Sequence, residues 1–416
     1  MEQLPPLLDA PLKTAPEVEG RVAGFAGAAA AAGLRKDGRV DLALIAADKP
    51  VPVAGVFTTN KLPAAPVQVC RKHVASGYAR AILANSGGAN AATGGPGIEA
   101  CLRTCRAVAA ELGCDPHQIL PCSTGVIGQL LDAGKVEAVA PALAAGLAAG
   151  GVKAAAGAIM TTDAFRKMVR AEALVHGKKV AVLGLAKGAG MIRPDMATML
   201  AFVLTDAAAS PEALRSIIGA IAEQSFNRAS VDGDTSTNDT LLMLASGKAG
   251  NPEMSPGDPE LASLQAAATR VCQELAAMLV ADGEGAGHLI RVRVTGASGV
   301  EQARSTCYAV AHSPLCKTAF AGRDPNWGRL FSTAGAEAGR RGWPFAPERF
   351  NLWIGESHIA RDGLFTGGAA EERAAAVMKR NRYEIRLDLG LGEGEFWVLT
   401  SDLDHEYIKI NADYRS

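Results

Sequence analysis

The chain has 416 residues, enough for two or three domains at about 150 residues each and for a core that needs no disulfide or metal staple. Its 42 Lys and Arg against 43 Asp and Glu leave a net charge of −1, which offers no broad field for nucleic acid or anionic lipid. With 48% hydrophobic and 20% charged residues the composition excludes a disordered chain, and 46 glycines beside 5% aromatics point to close backbone packing.

The N-terminus has neither a basic n-region nor a continuous apolar h-region, so no secretory signal is expected. The uncharged stretch 139–152 is shorter than the roughly 18 residues of a membrane span. Eight cysteines carry no CxxC pair, which predicts reduced, structural thiols and a cytoplasmic protein. The histidines are scattered singly, and no metal or bound cofactor is expected.

Short strands are predicted at Val40–Ile45, Val51–Phe57 and Ala81–Asn85, between Gly, Pro and Asn punctuation. A helix follows over Ile98–Leu112, and another opens at Ser210, with Pro211 at its first position and Glu212 in its first turn. The clearest helix runs from Asp258 to Val280, where Leu261, Leu264, Ala268, Val271, Leu275 and Met278 form one stripe. It ends just before Asp282-Gly-Glu-Gly, so Glu284 is delivered at a helix-to-strand turn. Gly250–Pro259 reads as a surface loop. Tyr383–Leu389 alternates as a half-buried strand, with Glu395–Thr400 as its expected hairpin partner. The sum is a mixed α/β chain without the βαβ rhythm of a doubly wound sheet.

Four stretches could carry chemistry. Asn85-Ser-Gly-Gly-Ala-Asn-Ala-Ala-Thr-Gly-Gly-Pro-Gly fits neither the dinucleotide fingerprint nor the Walker loop, so a close-packed turn is its plainer reading. Cys122-Ser-Thr-Gly-Val-Ile-Gly is a small-residue turn. Its Thr124-Gly125 peptide could aim an N–H and a hydroxyl at one point, as an oxyanion hole requires, although alone it is an ordinary turn. Between two apolar strands, residues 180–205 hold a loop with Lys187 and then Ala197-Thr198, which could be a simple hairpin. A cut before Thr198 would put a hydroxyl and an α-amine on one residue. With a reference pKa of about 7.7–8.0, that amine suits a local general base. Asp232-Gly-Asp-Thr-Ser-Thr-Asn-Asp is rich in oxygens, but an EF-hand's twelfth position falls on Met243 instead of Glu, so a hydrogen-bonded turn near a site is expected.

Six blocks, taken together, carry a resemblance. They are Lys187-Gly-Ala-Gly-Met-Ile, Met196-Ala-Thr-Met-Leu, Asp232-Gly-Asp-Thr-Ser-Thr-Asn-Asp, Lys317-Thr-Ala-Phe, Asp324-Pro-Asn-Trp-Gly-Arg and Lys409-Ile-Asn-Ala-Asp-Tyr-Arg-Ser. In this order and spacing, from about Val22 to the last residue, the chain resembles the ornithine acetyltransferases of arginine biosynthesis, many of which also make N-acetylglutamate from acetyl-CoA. The resemblance implies a self-processing, N-terminal-nucleophile-like fold of sheets sandwiched with helices. It implies cleavage between Ala197 and Thr198 into an α chain (1–197) and a β chain (198–416), two of each pairing into a heterotetramer.

Thr198 then resembles the nucleophile that takes acetyl from N-acetylornithine and passes it to glutamate by a ping-pong route. Thr124 and Gly125 resemble the oxyanion pair. Thr161, Lys187, Thr198, Glu284, Asn411 and Ser416 correspond to substrate-binding positions, with Lys187 suited to a carboxylate. Acetyl-CoA is a further co-substrate on the same grounds, and neither nucleic acid nor membrane is an expected partner. The chain departs from the family pattern at Gly88 (commonly Asn), Ala92 (often Cys), Gly287 and His288 (usually Thr-Lys), and at Asp195 in Arg193-Pro-Asp (commonly Asn). The first four flank the expected pocket and bear on acceptor range. The last bears on processing rate. Two other classes fit the residues: a hydrolase in which water takes the acyl group, and a non-enzymatic binding protein in which Thr198 is a plain strand residue.

Overall fold

The computed structural model describes residues 12–13, 17–193 and 199–413, so Ala197, Thr198 and Ser416 lie outside the described residues. The chain folds into two compact units, a larger one of residues 15–227 and 234–275 and a smaller one that holds 228–233 and everything from Ala276 to the C-terminal helix.

The larger unit is built on an eight-stranded sheet. In chain order its strands are β1 (Phe25–Ala30), β2 (Leu42–Phe57), β3 (Tyr78–Gly88), β4 (Ile119–Val126), β5 (Lys167–Val175), β6 (Lys178–Lys187) and β7 (Leu200–Thr205). The two-residue β8 (Ala229–Ser230) belongs to the smaller unit, and β9 (Thr240–Ala245) completes the larger sheet. The spatial order is β4-β3-β2-β9-β7-β6-β5, with β1 added on β2. The β3–β4 and β7–β9 pairs are parallel and the rest antiparallel. Helices α1 (Ala65–Val74), α2 (Gly94–Leu112), α3 (Ala133–Ala145), α4 (Val152–Ala158) and α5 (Pro211–Glu223) pack on it, and α6 (Leu261–Ala281) starts in this unit.

Both faces of β2 are covered, as its unbroken apolar run Leu42–Ala47 demands. Leu42, Leu44 and Ala46 meet Cys105, Val108 and Leu143 from α2 and α3. Ala43, Ile45 and Ala47 belong to a second core with Cys70 of α1 and Val152 and Ala155 of α4. The two short strands expected at Val40–Ile45 and Val51–Phe57 are one strand of 16 residues. Asp48, Lys49 and Pro50 look like a break because they are exposed, yet they form only a register shift against β3 between Ala46 and Val51. The Ser210 hydroxyl caps α5 by accepting the Ala213 N–H at 3.1 Å. The α6 stripe holds, with Leu264, Ala268, Val271 and Leu275 fully buried. The loop 250–259 is less free than expected: Met254 is buried, and the Asn251 side chain bonds both the N–H and the carbonyl of Ala208.

The smaller unit carries a seven-stranded sheet that adds β10 (Leu289–Ala297), β11 (Asn351–Ile354), β12 (Ser357–Arg361), β13 (Leu364–Phe365), β14 (Arg382–Asp388) and β15 (Gly394–Ser401) to β8. Its order is β13-β12-β11-β14-β10-β15-β8. Helices α7 (Val300–His312), α8 (Pro314–Ala321), α9 (Trp327–Arg341), α10 (Gly368–Met378) and α11 (His405–Asp413) complete it. The hairpin expected between Tyr383–Leu389 and Glu395–Thr400 does not form. Instead β10 lies between the two strands, placing Val292 opposite Ile385 on one side and Val398 on the other. The connecting turn bonds to β10 as well: Leu389 N–H reaches the Thr295 carbonyl, and the Leu391 and Gly392 N–H groups reach that of Gly296.

The Asp324-Pro-Asn-Trp-Gly-Arg block is a helix start, in which the Asn326 side chain caps α9 by accepting the Arg329 N–H. In the Lys317-Thr-Ala-Phe block the ammonium is buried and donates to the Ser401 carbonyl and to the Thr400 hydroxyl. Burial, opposed by Asp402 and Asp232, pushes the Lys317 ammonium down to about 8 from 10.5. Between those values the unfolded chain binds the extra proton, so stability rises with pH there. In paired thermal melts, the stability of the wild type relative to Lys317→Met should therefore increase from about pH 8 to about pH 10. A difference that stays flat or falls would mean that the burial of this cation does not set the slope.

All eight cysteines are free thiols, seven of them buried. Among the described residues no helix is long and apolar enough to cross a membrane.

Candidate active site

Lys187 is the last residue of β6, opposite Leu200 at the start of β7, and the loop between these strands carries Ala197-Thr198. The sheet buries this end, leaving Lys187 3% exposed. Its ammonium donates to the Thr161 hydroxyl at 2.8 Å and the Thr124 hydroxyl at 3.1 Å. Three side chains that the sequence scatters over 63 positions thus meet at one point. A buried ammonium needs a counter-charge, and Asp163 supplies it, 4.0 Å away.

Asp163 is the hub of this cluster. Its Oδ1 accepts from the Lys167 ammonium and the Gly188 N–H, both at 2.7 Å, while Oδ2 accepts the Thr161 N–H at 2.9 Å. Burial alone would raise this carboxyl, but Lys167, Lys187 and the Gly188 N–H hold it well below the usual carboxylate range. One ionised carboxylate therefore fixes both Thr161 and the strand end that carries Lys187.

Gly125 follows Thr124 where β4 runs parallel to β3, opposite Gly87, with φ +128°. A Cβ on Gly125 would lie 2.6 Å from Gly88 N and 2.7 Å from the Gly87 carbonyl carbon, both immovable backbone atoms. Gly125→Ala should lower kcat/KM for acyl transfer by about 100-fold or more, because it must open the strand pair that sets the Thr124-Gly125 peptide. Steady-state kinetics beside a thermal melt checks this, and unchanged kcat/KM would remove Gly125 from the site. At Gly88, by contrast, a Cβ meets nothing within 4 Å, so the space there does not demand glycine. Ala92 is an exposed residue at φ +57°.

Two further residues were not singled out from the sequence. Asn238 donates to the carbonyls of Ala89 and Ser123, tying the glycine-rich loop to β4. Asp239 is fully buried and accepts the Met199 N–H at 2.8 Å. Both lie in the oxygen-rich run from Asp232, which was expected to be a hydrogen-bonded turn near a site. Their individual roles had no local signal.

Glu284 and Asn411 come together in the smaller unit. Glu284 stands in the turn between α6 and β10, and its Oε2 accepts the Asn411 amide at 2.8 Å from α11. A Cβ on Gly285, at φ +71°, would come within 2.5 Å of Tyr407 N, so glycine there lets the turn seat directly against α11. Gly287 and His288 form an anchor. Asp402 accepts both of their N–H groups, and its Oδ2 bonds His288 Nδ1 at 2.6 Å. A Cβ at Gly287 would lie 3.0 Å from that same Oδ2, so the two departures suit one another. His288 is 4% exposed. Their visible work is to hold this turn.

A buried ammonium on two threonine hydroxyls, one of them beside a glycine at φ +128°, gathers donors able to bind and stabilise an anionic oxygen. Comparison with known proteins places the chain more closely. It belongs to the ArgJ family, whose model matches residues 26–416. It is 44% identical over 395 residues to the arginine biosynthesis bifunctional protein ArgJ of Geobacter sulfurreducens, covering 95% of this chain and 100% of that protein. Among solved structures, ArgJ of Bacillus halodurans is similar at 37% identity and TM-score 0.48, over 51% of this chain and 98% of that one. Ornithine acetyltransferase of Mycobacterium tuberculosis, complexed with ornithine, is similar at 35% identity and TM-score 0.38, over 44% and 95%.

Proposed function

We propose that this chain is a glutamate N-acetyltransferase that moves acetyl from N-acetylornithine to glutamate through an acetyl ester on Thr198. The observation that carries the reading is the Lys187–Thr124–Thr161 cluster at the strand end that feeds the Ala197-Thr198 loop. Thr198 becomes an N-terminal nucleophile by self-cleavage after Ala197, in a fold of the N-terminal-nucleophile kind. The cut would leave β7 and β9 of the second chain paired with β6 and β2 of the first, so the sheet itself would hold the products together.

In the first half-reaction the Thr198 hydroxyl adds to the acetyl carbonyl, with the free α-amine of the same residue as local base. Thr124 and Gly125 stabilise the oxyanion, and ornithine leaves. Glutamate then takes the acetyl group from the ester. Lys187, Thr161, Glu284, Asn411 and Ser416 are the substrate-binding residues of this reading. Acetyl-CoA serves as a second donor in N-acetylglutamate synthesis. The working particle is two α and two β chains in the cytoplasm, with neither nucleic acid nor membrane as a partner.

The test follows ornithine and acetate separately. Purified protein given N-acetylornithine should release ornithine in proportion to added glutamate, form N-acetylglutamate and yield no free acetate. Without glutamate, intact mass should show one acetyl group on the chain that begins at Thr198. Stoichiometric acetate with no glutamate dependence would make the protein a hydrolase and overturn the proposal.

A further inference from the structure

Among the described residues, Asp239 is a buried carboxylate next to the cleavage segment whose chemistry the acetyl-transfer scheme leaves unused. It lies at the head of β9, fully buried, and the sheet holds it beside the start of β7: its Oδ1 accepts the Met199 N–H, while Thr240 N–H bonds the Met199 carbonyl at 3.1 Å. Its other oxygen, Oδ2, has no hydrogen-bond partner among the described residues. An ionised carboxylate with a dry, unpartnered oxygen is costly, whereas a protonated one carries a donor ready for use.

Covalent geometry sets the reach. Met199 is the residue bonded directly to Thr198, so the carboxyl that accepts the Met199 N–H is held one residue along the chain from the Ala197–Thr198 bond. Resting on the self-cleavage reading above, we propose that Asp239 is the proton-transfer group of self-processing, passing a proton from its Oδ2 to the Thr198 nitrogen as the Ala197–Thr198 bond opens.

The step balances within the protein. The Thr198 hydroxyl oxygen bonds to the Ala197 carbonyl carbon, and the C–N bond breaks with its electron pair left on nitrogen. That nitrogen takes the Asp239 proton, and the proton of the Thr198 hydroxyl restores the carboxylic acid. An ester and a free α-amine result, and water then hydrolyses the ester to the Ala197 carboxylate. Met199 N–H is a neutral donor to Asp239, the Lys187 ammonium is the charge that bears on it, and the nearby Thr58 hydroxyl adds a weaker pull although its proton is donated to the Ser236 carbonyl. Burial outweighs all three and pushes the carboxyl well above the usual carboxylate range.

The experiment follows freshly synthesised full-length precursor in cell-free translation, quenched over time and read by intact mass, for wild type, Asp239→Asn and Thr198→Ala. Circular dichroism and size exclusion report folding. The expected result is a folded Asp239→Asn precursor cut at least about 100-fold more slowly than wild type. For wild type, the cleavage rate should decline as pH rises through the raised pKa of the acid, because the donor is then lost. A purely structural role for Asp239 would not produce that profile. Cleavage of Asp239→Asn at the wild-type rate, with Thr198→Ala uncut, overturns this role for Asp239 and leaves the self-cleavage reading standing. If wild type itself stays uncut, the reading falls and this proposal with it. Where Asp239→Asn does not fold, the wild-type profile decides: a rate that climbs steadily through alkaline pH overturns the proposal.

Discussion

Thr198→Ala should remain a single chain of 42.8 kDa and lose acetyl transfer by about 10⁶-fold, the scale seen when a covalent nucleophile is removed from an assembled site. The fold should survive. The residues on either side of the loop are tied down independently of the Thr198 side chain: Lys187 pairs with Leu200 across β6 and β7, and Met199 is held by Asp239 and Thr240. Thr198→Ser keeps the hydroxyl, so it should still be cut and still accept acetyl. Intact mass and initial rates for the three proteins check this together. If Thr198→Ala kept more than a small fraction of wild-type transfer, the acetyl-Thr route would be wrong and direct transfer between the two substrates would replace it.

The parts of the molecule legible in the sequence were those set by local pattern. The α6 stripe, the Ser210 cap and the strand–loop–strand around Lys187 each rest on residues within a few positions of one another. The pairing of β14 and β15 failed for the complementary reason. A short Gly-rich link usually makes a hairpin, but here Gly296 on β10 captures that link, and β10 starts about 100 residues before it. Lys187, Thr124 and Thr161 were legible as a set only through the six-block resemblance, since spacing alone does not bring β4 and β6 to Thr161, three residues beyond α4. Asp163 stands two residues after Thr161, yet an acidic residue in a loop usually reads as solvated. Its burial comes from two lysines that converge on it from different directions, Lys167 at the start of β5 and Lys187 at the end of β6.

That convergence makes Asp163 the position where the largest loss of stability is expected. Asp163→Asn preserves shape but leaves the fully buried Lys167, with Lys187 beside it, short of a counter-charge. Removing one partner of such a pair costs about 3–5 kcal/mol, because the remaining cation stays desolvated. The pH dependence has a definite sign. The folded carboxyl is held below its ordinary value of 3.8, so its stabilising effect is complete above that value and fades as pH falls toward the folded one. In urea unfolding at neutral pH the variant should therefore be weaker than wild type by about 3–5 kcal/mol, and the gap should narrow only below about pH 4. Adding Lys167→Met removes the fully buried cation and should recover part of the loss. Activity should not return with it, because Thr161 N–H and Gly188 N–H would still lack the carboxylate that sets them around Lys187. A double variant that regained both stability and transfer would show that Asp163 serves only to neutralise Lys167.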